Sequence, residues 1–171
     1  MKKSNWTYKV FFITFLLAAL FTVITNLFTD VGILILSLVI LLVILVGILF
    51  DMIGVATLTS KEENFHARAS KKIKGAKESI SILKNASVVA SFCNDVVGDV
   101  CGIVSGGLGT TLAITIATKY DFNVILITTI LAAFISALTV GGKAIGKNVA
   151  IKKSDNIIFC VGKLKSMLKI K

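Results

Sequence analysis

The chain has 171 residues, 56% of them hydrophobic and none of them proline, with a mean hydropathy of +0.91. That is more apolar material than one soluble core absorbs, which excludes a soluble or disordered class and predicts a single all-α membrane domain over residues 1–171. A formal net charge of +10 would fit a nucleic-acid binder only on a soluble surface; here the charge is segregated into alternate hydrophilic segments, so no nucleic acid is expected as a partner.

Lys2, Lys3 and Lys9 precede the first apolar run, Val10 to Leu27. The residues after it, Phe28-Thr29-Asp30, offer no small-x-small cleavage site, so a retained span over roughly 9–28 is expected rather than a removed leader. Trp6, beside this span, fits an interfacial anchor. A turn around Thr29-Asp30 leads into a second span, roughly 31–58. Its uncharged run from Val31 to Phe50 matches the ~20 residues that cross a bilayer.

Asp51 interrupts that second run with seven further apolar or small residues still to come, which puts it about 10 Å below the inner surface at ~1.5 Å per residue. A carboxylate at that depth costs on the order of 2.5–3.5 kcal/mol, so a partner or a water-filled cavity is expected. The alternative is that Asp51 marks the end of the helix and the rest lies in the interface.

From Asn64 to Asn85, Phe65, Ala69, Ile73, Ala76, Ile80 and Leu83 recur every three or four residues, with Lys71, Lys72, Lys74 and Lys77 on other faces. This predicts one basic amphipathic helix over roughly 64–85, lying on anionic inner-leaflet lipids. His66 has no neighbouring metal ligand and is assigned no role.

The third span, roughly 86–118, carries the densest polar cluster: Asn94, Asp95, Gly98, Asp99, Gly102, Ser105, Gly106 and Gly109. Asp95 and Asp99 are four apart and stack on one helical face. Carboxylate, amide and freed carbonyl oxygens suit hard divalent cations, and glycine breaks in a membrane helix free carbonyls where they line a cavity. Asp51, Asn94, Asp95 and Asp99 are therefore the candidate metal ligands, with Gly98, Gly102 and Gly106 as the helix break. Alternatively, those three glycines form a small-x3-small packing stripe while the aspartates cap helices or pair with lysine.

Lys119 to Asn123 is a short outer loop. The fourth span, roughly 124–142, ends in Gly141-Gly142-Lys143; Lys143, Lys147, Lys152 and Lys153 are read as positive-inside charge, the alternative for Lys143 being that the glycine break lets it approach a membrane carboxylate. Ile157, Val161, Leu164 and Leu168 then mark the apolar face of a second interfacial helix, roughly 154–169. Eighteen of the nineteen Lys/Arg fall in the first, middle and last hydrophilic segments, which predicts four spans in the plasma membrane with both termini cytoplasmic. Cys93, Cys101 and Cys160 make no CxxC pair, and neither a zinc site nor a disulfide framework is expected. There is no nucleophile-base arrangement, phosphate loop or HExxH, so no enzyme is expected.

In the order and texture of these features, the stretch from Gly32 to Ile158 resembles the transmembrane domain of the CorB and cyclin M (CNNM) magnesium transporter family, related to CorC and HlyC-type proteins. Phe50-Asp51-Met52-Ile53-Gly54-Val55-Ala56-Thr57-Leu58-Thr59-Ser60 is similar to that family's small-Ser-Glu-Thr-Ala-Leu-Thr motif, with Val55 at the glutamate position. Cys93-Asn94-Asp95-Val96-Val97-Gly98-Asp99 is similar to its Gly-Asn-x3-Asn signature, Gly98 standing where the second asparagine belongs. Gly142-Lys143-Ala144-Ile145-Gly146-Lys147 takes the place of Gly-Glu-x2-Pro-Lys, without Glu or Pro.

The resemblance implies a homodimer that moves Mg²⁺, or Co²⁺, between the polar faces of its helices; the family's ATP-binding CBS-pair module has no counterpart within these 171 residues. The expected function is divalent-cation transport or export. The alternative is a non-transporting scaffold or regulatory subunit that keeps the fold and uses its basic helices to hold anionic lipid or a partner. A small pore-forming toxin fits poorly with four spans and a polar cluster.

Overall fold

The computed structural model describes residues 3–26 and 31–168. The turn expected around Thr29-Asp30 lies outside them, as does the Trp6 side chain. Every described element is helical: α1 (Lys3–Asn26), α2 (Ile33–Thr59), α3 (Glu63–Ser70), α4 (Ala76–Lys84), α5 (Ala86–Ser91), a π-helical segment (Phe92–Val97), α6 (Gly98–Tyr120), α7 (Val124–Lys152) and α8 (Ser154–Met167).

Among the described residues, three helices are long and apolar enough to cross a membrane: α2, the continuous helix Ala86–Tyr120, and α7. At ~1.5 Å per residue the 27 residues of α2 reach about 40 Å, well beyond a ~30 Å hydrocarbon core. The helix runs on past Asp51 to Thr59 without a break. In α1 the described apolar stretch is Val10–Val23, shorter than a span.

The chain divides into two compact units, one formed by Met1–Ile48 with Val96–Gly142, the other by Leu49–Asp95 with Lys143–Lys171. In the first unit α1 packs on α6. Leu36, Ile40 and Ile44 of α2, Val104, Leu108 and Leu112 of α6, and Ile135 of α7 make an aliphatic core. Close approach is secured where a side chain is missing: a Cβ on Gly47 would lie 2.9 Å from Cys101 Cβ, and one on Gly109 would strike Ile135. Thr110, Thr111, Thr115, Thr118, Thr129 and Thr139 donate to the carbonyl four residues back, which satisfies each hydroxyl inside its own helix. At the turn after α6, Asp121 takes a left-handed conformation (φ 56°) and the Phe122 amide bonds Ala117 O at 2.9 Å. Asn123 then caps α7, its Oδ1 accepting from the amides of Ile125 (3.0 Å) and Leu126 (3.2 Å).

Three expectations change. The amphipathic stretch is two helices, because Lys71–Gly75 forms a turn with Lys72 at φ 54° and Gly75 at φ 94°. Its apolar face is also buried against protein: α4 packs on α8 and α3, with Phe65, Ala76 and Leu83 buried. Finally, neither Gly98-Gly102-Gly106 nor Gly141-Gly142 breaks a helix; α6 runs on through Gly102 and Gly106, and α7 continues to Lys152. A glycine lowers helix propensity by only ~1 kcal/mol, which a packed span outweighs. The irregular backbone lies just before Gly98, in the π segment. Around Gly102, Gly106 and Gly107 there is open space within the chain, so that stripe is not spent on internal packing.

In the second unit, polar bonds cross between elements. Asp155, in the first turn of α8, accepts from Ser60 Oγ at 2.5 Å and Asn64 Nδ2 at 2.7 Å, tying that helix to the α2–α3 junction. Ser79, fully buried in α4, donates to Gly75 O (2.8 Å) and to Ile158 O of α8 (3.1 Å). The Arg68 guanidinium lies 5.0 Å from the Phe159 ring centroid and 6.0 Å from that of Phe65. The apolar core here is Ala56, Phe65, Leu83, Ala150 and Ile158.

Candidate cation site

Asp51 sits on the continuation of α2 within the second unit and is only 4% exposed. One turn further on the same face, Gly54 is a notch: a Cβ there would run into the Asn94 side-chain amide. Asn94 comes from the π segment. A π turn adds a residue to the helical repeat and re-aims the side chains it carries, a device common at functional sites. Two elements thus bring an amide over the helix turn that begins at Asp51.

Two buried oxygens in this region, Asp51 Oδ2 and Asn94 Oδ1, have no hydrogen-bond partner. Lys147 Nζ of α7 lies 3.8 Å from Asp51 Oδ2. That separation makes an ion pair but is too long for a hydrogen bond, so the oxygen counts as paired in charge and unsatisfied in bonding. Lys147 is half exposed (50% of its side chain), which leaves the ammonium partly hydrated and free to swing away. Both unsatisfied atoms are acceptors, and such a region attracts a cation or a proton donor.

The four candidate ligands are divided between the two units. Asp51 and Asn94 belong to the second unit, as does Asp95, which is exposed and accepts from Ser91 Oγ at 2.9 Å. Asp99 is exposed on α6 of the first unit. Among the described residues no three His, Cys, Asp or Glu lie together as a metal-holding group. Gly98 is buried, while Gly102 is half-buried and Gly106 exposed.

From the sequence alone, Lys143 and Lys147 read together as part of the positive-inside charge, with approach of Lys143 to a membrane carboxylate as the alternative; Lys147, one turn later on an unbroken α7, makes an ion pair with Asp51. Gly54 was legible in principle, being three residues after Asp51 and hence on its face. The π turn left no signal in composition or spacing. Cys93, Cys101 and Cys160 are free thiols. Comparison with known proteins finds no family model, no curated protein and no solved structure that matches the chain.

Proposed function

We propose that this chain is a four-span membrane protein with cytoplasmic termini that binds a cation at Asp51 and Asn94 as a step in divalent-cation transport of the CorB/CNNM kind, with Mg²⁺ the first candidate and Co²⁺ the second. The observation that carries the reading is the pair of buried oxygens, one carboxylate and one amide, left without hydrogen-bond donors. A hydrated Mg²⁺ keeps several waters and asks the protein for only one or two carboxylates, so Asp51, the Asn94 amide oxygen and water are a sufficient donor set once Lys147 moves aside. Exchange of the Lys147 ammonium for the ion would keep the buried carboxylate neutralised at both ends of the step. The open stripe at Gly102, Gly106 and Gly107 supports a homodimer, since bare backbone lets a second helix approach closely in lipid.

The test is thermal stability of the purified protein in detergent across a Mg²⁺ titration, with Ca²⁺ and Na⁺ as controls. A ligand of the folded state at ~100 times its Kd adds about 2.7 kcal/mol, or roughly 5–10 °C for a chain of this size. The expected result is a saturable, Mg²⁺-selective rise that Asp51→Asn abolishes. No rise up to millimolar Mg²⁺, or an equal rise in the variant, removes the site.

The second reading, a non-transporting scaffold or regulatory subunit, draws on two observations: Asp51 already has an ammonium beside it, and no three metal-ligating side chains gather among the described residues. Under that reading Asp51→Asn leaves cation response and partner binding unchanged.

A further inference from the structure

The periodicity of the last helix marks Ile157, Val161, Leu164 and Leu168 as an apolar face. The protein core takes a different face: Ile158 and Gly162 are buried, with Gly162 packed against Ser79 and the Gly75 carbonyl. Of the predicted stripe, Ile157, which is also partly packed against that core, Val161 and Leu164 form one wall of an open groove of about 440 Å³, within the roughly 300–1,000 Å³ of small-molecule sites; the other wall is Leu49, Met52 and Ile53 of α2. Leu164 and Met167 are exposed along it, and Cys160 opens onto it as an exposed free thiol.

One polar residue lines this groove, Lys163. The fold adds a second source of charge beside it. Gly75 packs so closely on α8 that a Cβ would stand 2.7 Å from the Lys163 backbone nitrogen and 2.8 Å from its Cα, a fit reached only at the left-handed φ of 94°. The turn carrying Lys71, Lys72 and Lys74 is thereby docked against the Lys163 backbone, although 88 residues separate Gly75 from Lys163 in the chain. All four of these lysines are exposed, and none is ion-paired among the described residues.

An apolar groove lined by one lysine, with a lysine-rich turn docked at that residue's backbone, is complementary to a molecule with a hydrocarbon tail and an anionic head. We infer that this groove is a binding site for one anionic phospholipid of the inner leaflet, an acyl chain lying along Met52, Ile53 and Leu164 with the phosphate held by Lys163 and Lys74. The inference rests on the membrane reading above and sharpens it, turning a diffuse basic surface into a defined site. It is independent of the cation site, since Asp51 and Asn94 do not line the groove.

Cys160 supplies the readout. The full chain is placed in phosphatidylcholine nanodiscs with and without phosphatidylglycerol, and the rate of maleimide labelling at Cys160 is measured in a Cys93→Ala/Cys101→Ala background. Phosphatidylglycerol should slow labelling about tenfold. Lys74→Gln with Lys163→Gln should remove that protection, while Lys119→Gln on the other unit should keep it. Basic groups near an anionic surface contribute roughly fivefold each in binding, so the double variant should lose about twentyfold in phosphatidylglycerol retained by native mass spectrometry. Both glutamines replace exposed side chains and leave the Gly75 contact with the α8 backbone intact. Equal labelling with and without phosphatidylglycerol, full protection by phosphatidylcholine alone, or protection that persists in the double variant each overturns the site. Failure of the chain to enter nanodiscs at all would instead overturn the membrane reading.

Discussion

The two units are built from the same helical element and held by different forces. In the unit of Met1–Ile48 and Val96–Gly142 the core is branched aliphatic, the exterior is Leu, Ile and Phe, and threonine hydroxyls are satisfied along their own helices. In the unit of Leu49–Asp95 and Lys143–Lys171 the aliphatic core is smaller, and side-chain bonds run from helix to helix through Asp155, Ser79 and Arg68. Fifteen of the nineteen basic residues lie here, seven from Lys61 to Lys84 and eight from Lys143 onward. Under the membrane reading proposed above, helices of the first unit that lie in lipid gain no hydrophobic driving force from each other and rely on close packing, whereas the second unit adds polar bonds between helices and most of the charge.

The largest expected effect comes from filling a gap in the second unit. A Cβ at Gly162 would meet Ser79 Oγ, the Gly75 carbonyl oxygen at 2.5 Å or closer and the Ser79 amide nitrogen at 2.9 Å, where backbone has no room to yield. Gly162→Val should therefore cost about 3 kcal/mol or more and separate α4 from α8, seen as loss of amide protection in α4 by hydrogen exchange.

A matched pair separates the two solvents directly. Ile158 (0% exposed) and Ile44 (3% exposed) are equally buried, one in each unit. Ile158→Ala loses both the transfer free energy and the cavity contribution, about 2–5 kcal/mol. Ile44→Ala, with lipid rather than water as the alternative surroundings, loses only the cavity and packing part, about half as much. Thermal melts in detergent of the two variants measure the ratio. Equal losses would mean that the first unit folds by the same hydrophobic effect as the second, and the contrast between units would fail.

What was readable from sequence follows the same line. α2 and α7 were legible because runs of some twenty uncharged residues have no other stable use than a span. The amphipathic face holding Phe65, Ala76 and Leu83 was legible from its period, but its target was not: lipid and α8 are equally apolar to a helical wheel. Only the docking of Gly75 and Gly162 decides between them. The side of α8 that packs on α4 was not legible for a related reason, since Gly162 carries no hydrophobic weight yet marks where α4 approaches. Asp51 stood out because a carboxylate in such a run is rare. Asn94 stood out with it as a candidate ligand, although the π turn that carries it left no trace in the spacing; Lys147 did not, because it arrives from nearly a hundred residues away.

The smallest expected effect on folding is the most informative about assembly. Gly106→Val makes the same chemical change as Gly162→Val, but a Cβ at Gly106 meets nothing within 4 Å and the residue is exposed on α6. The stability of the single chain should move by less than about 0.5 kcal/mol, as for substitutions away from packed features. If the stripe receives a second copy, the same valine pushes two backbones apart and the dimer dissociates, read as loss of energy transfer between donor- and acceptor-labelled chains on reconstitution. Unchanged transfer would place any dimer contact elsewhere. A large fall in single-chain stability would mean that this stripe packs within the chain after all, and the first unit would then be as fully packed through its glycines as the second.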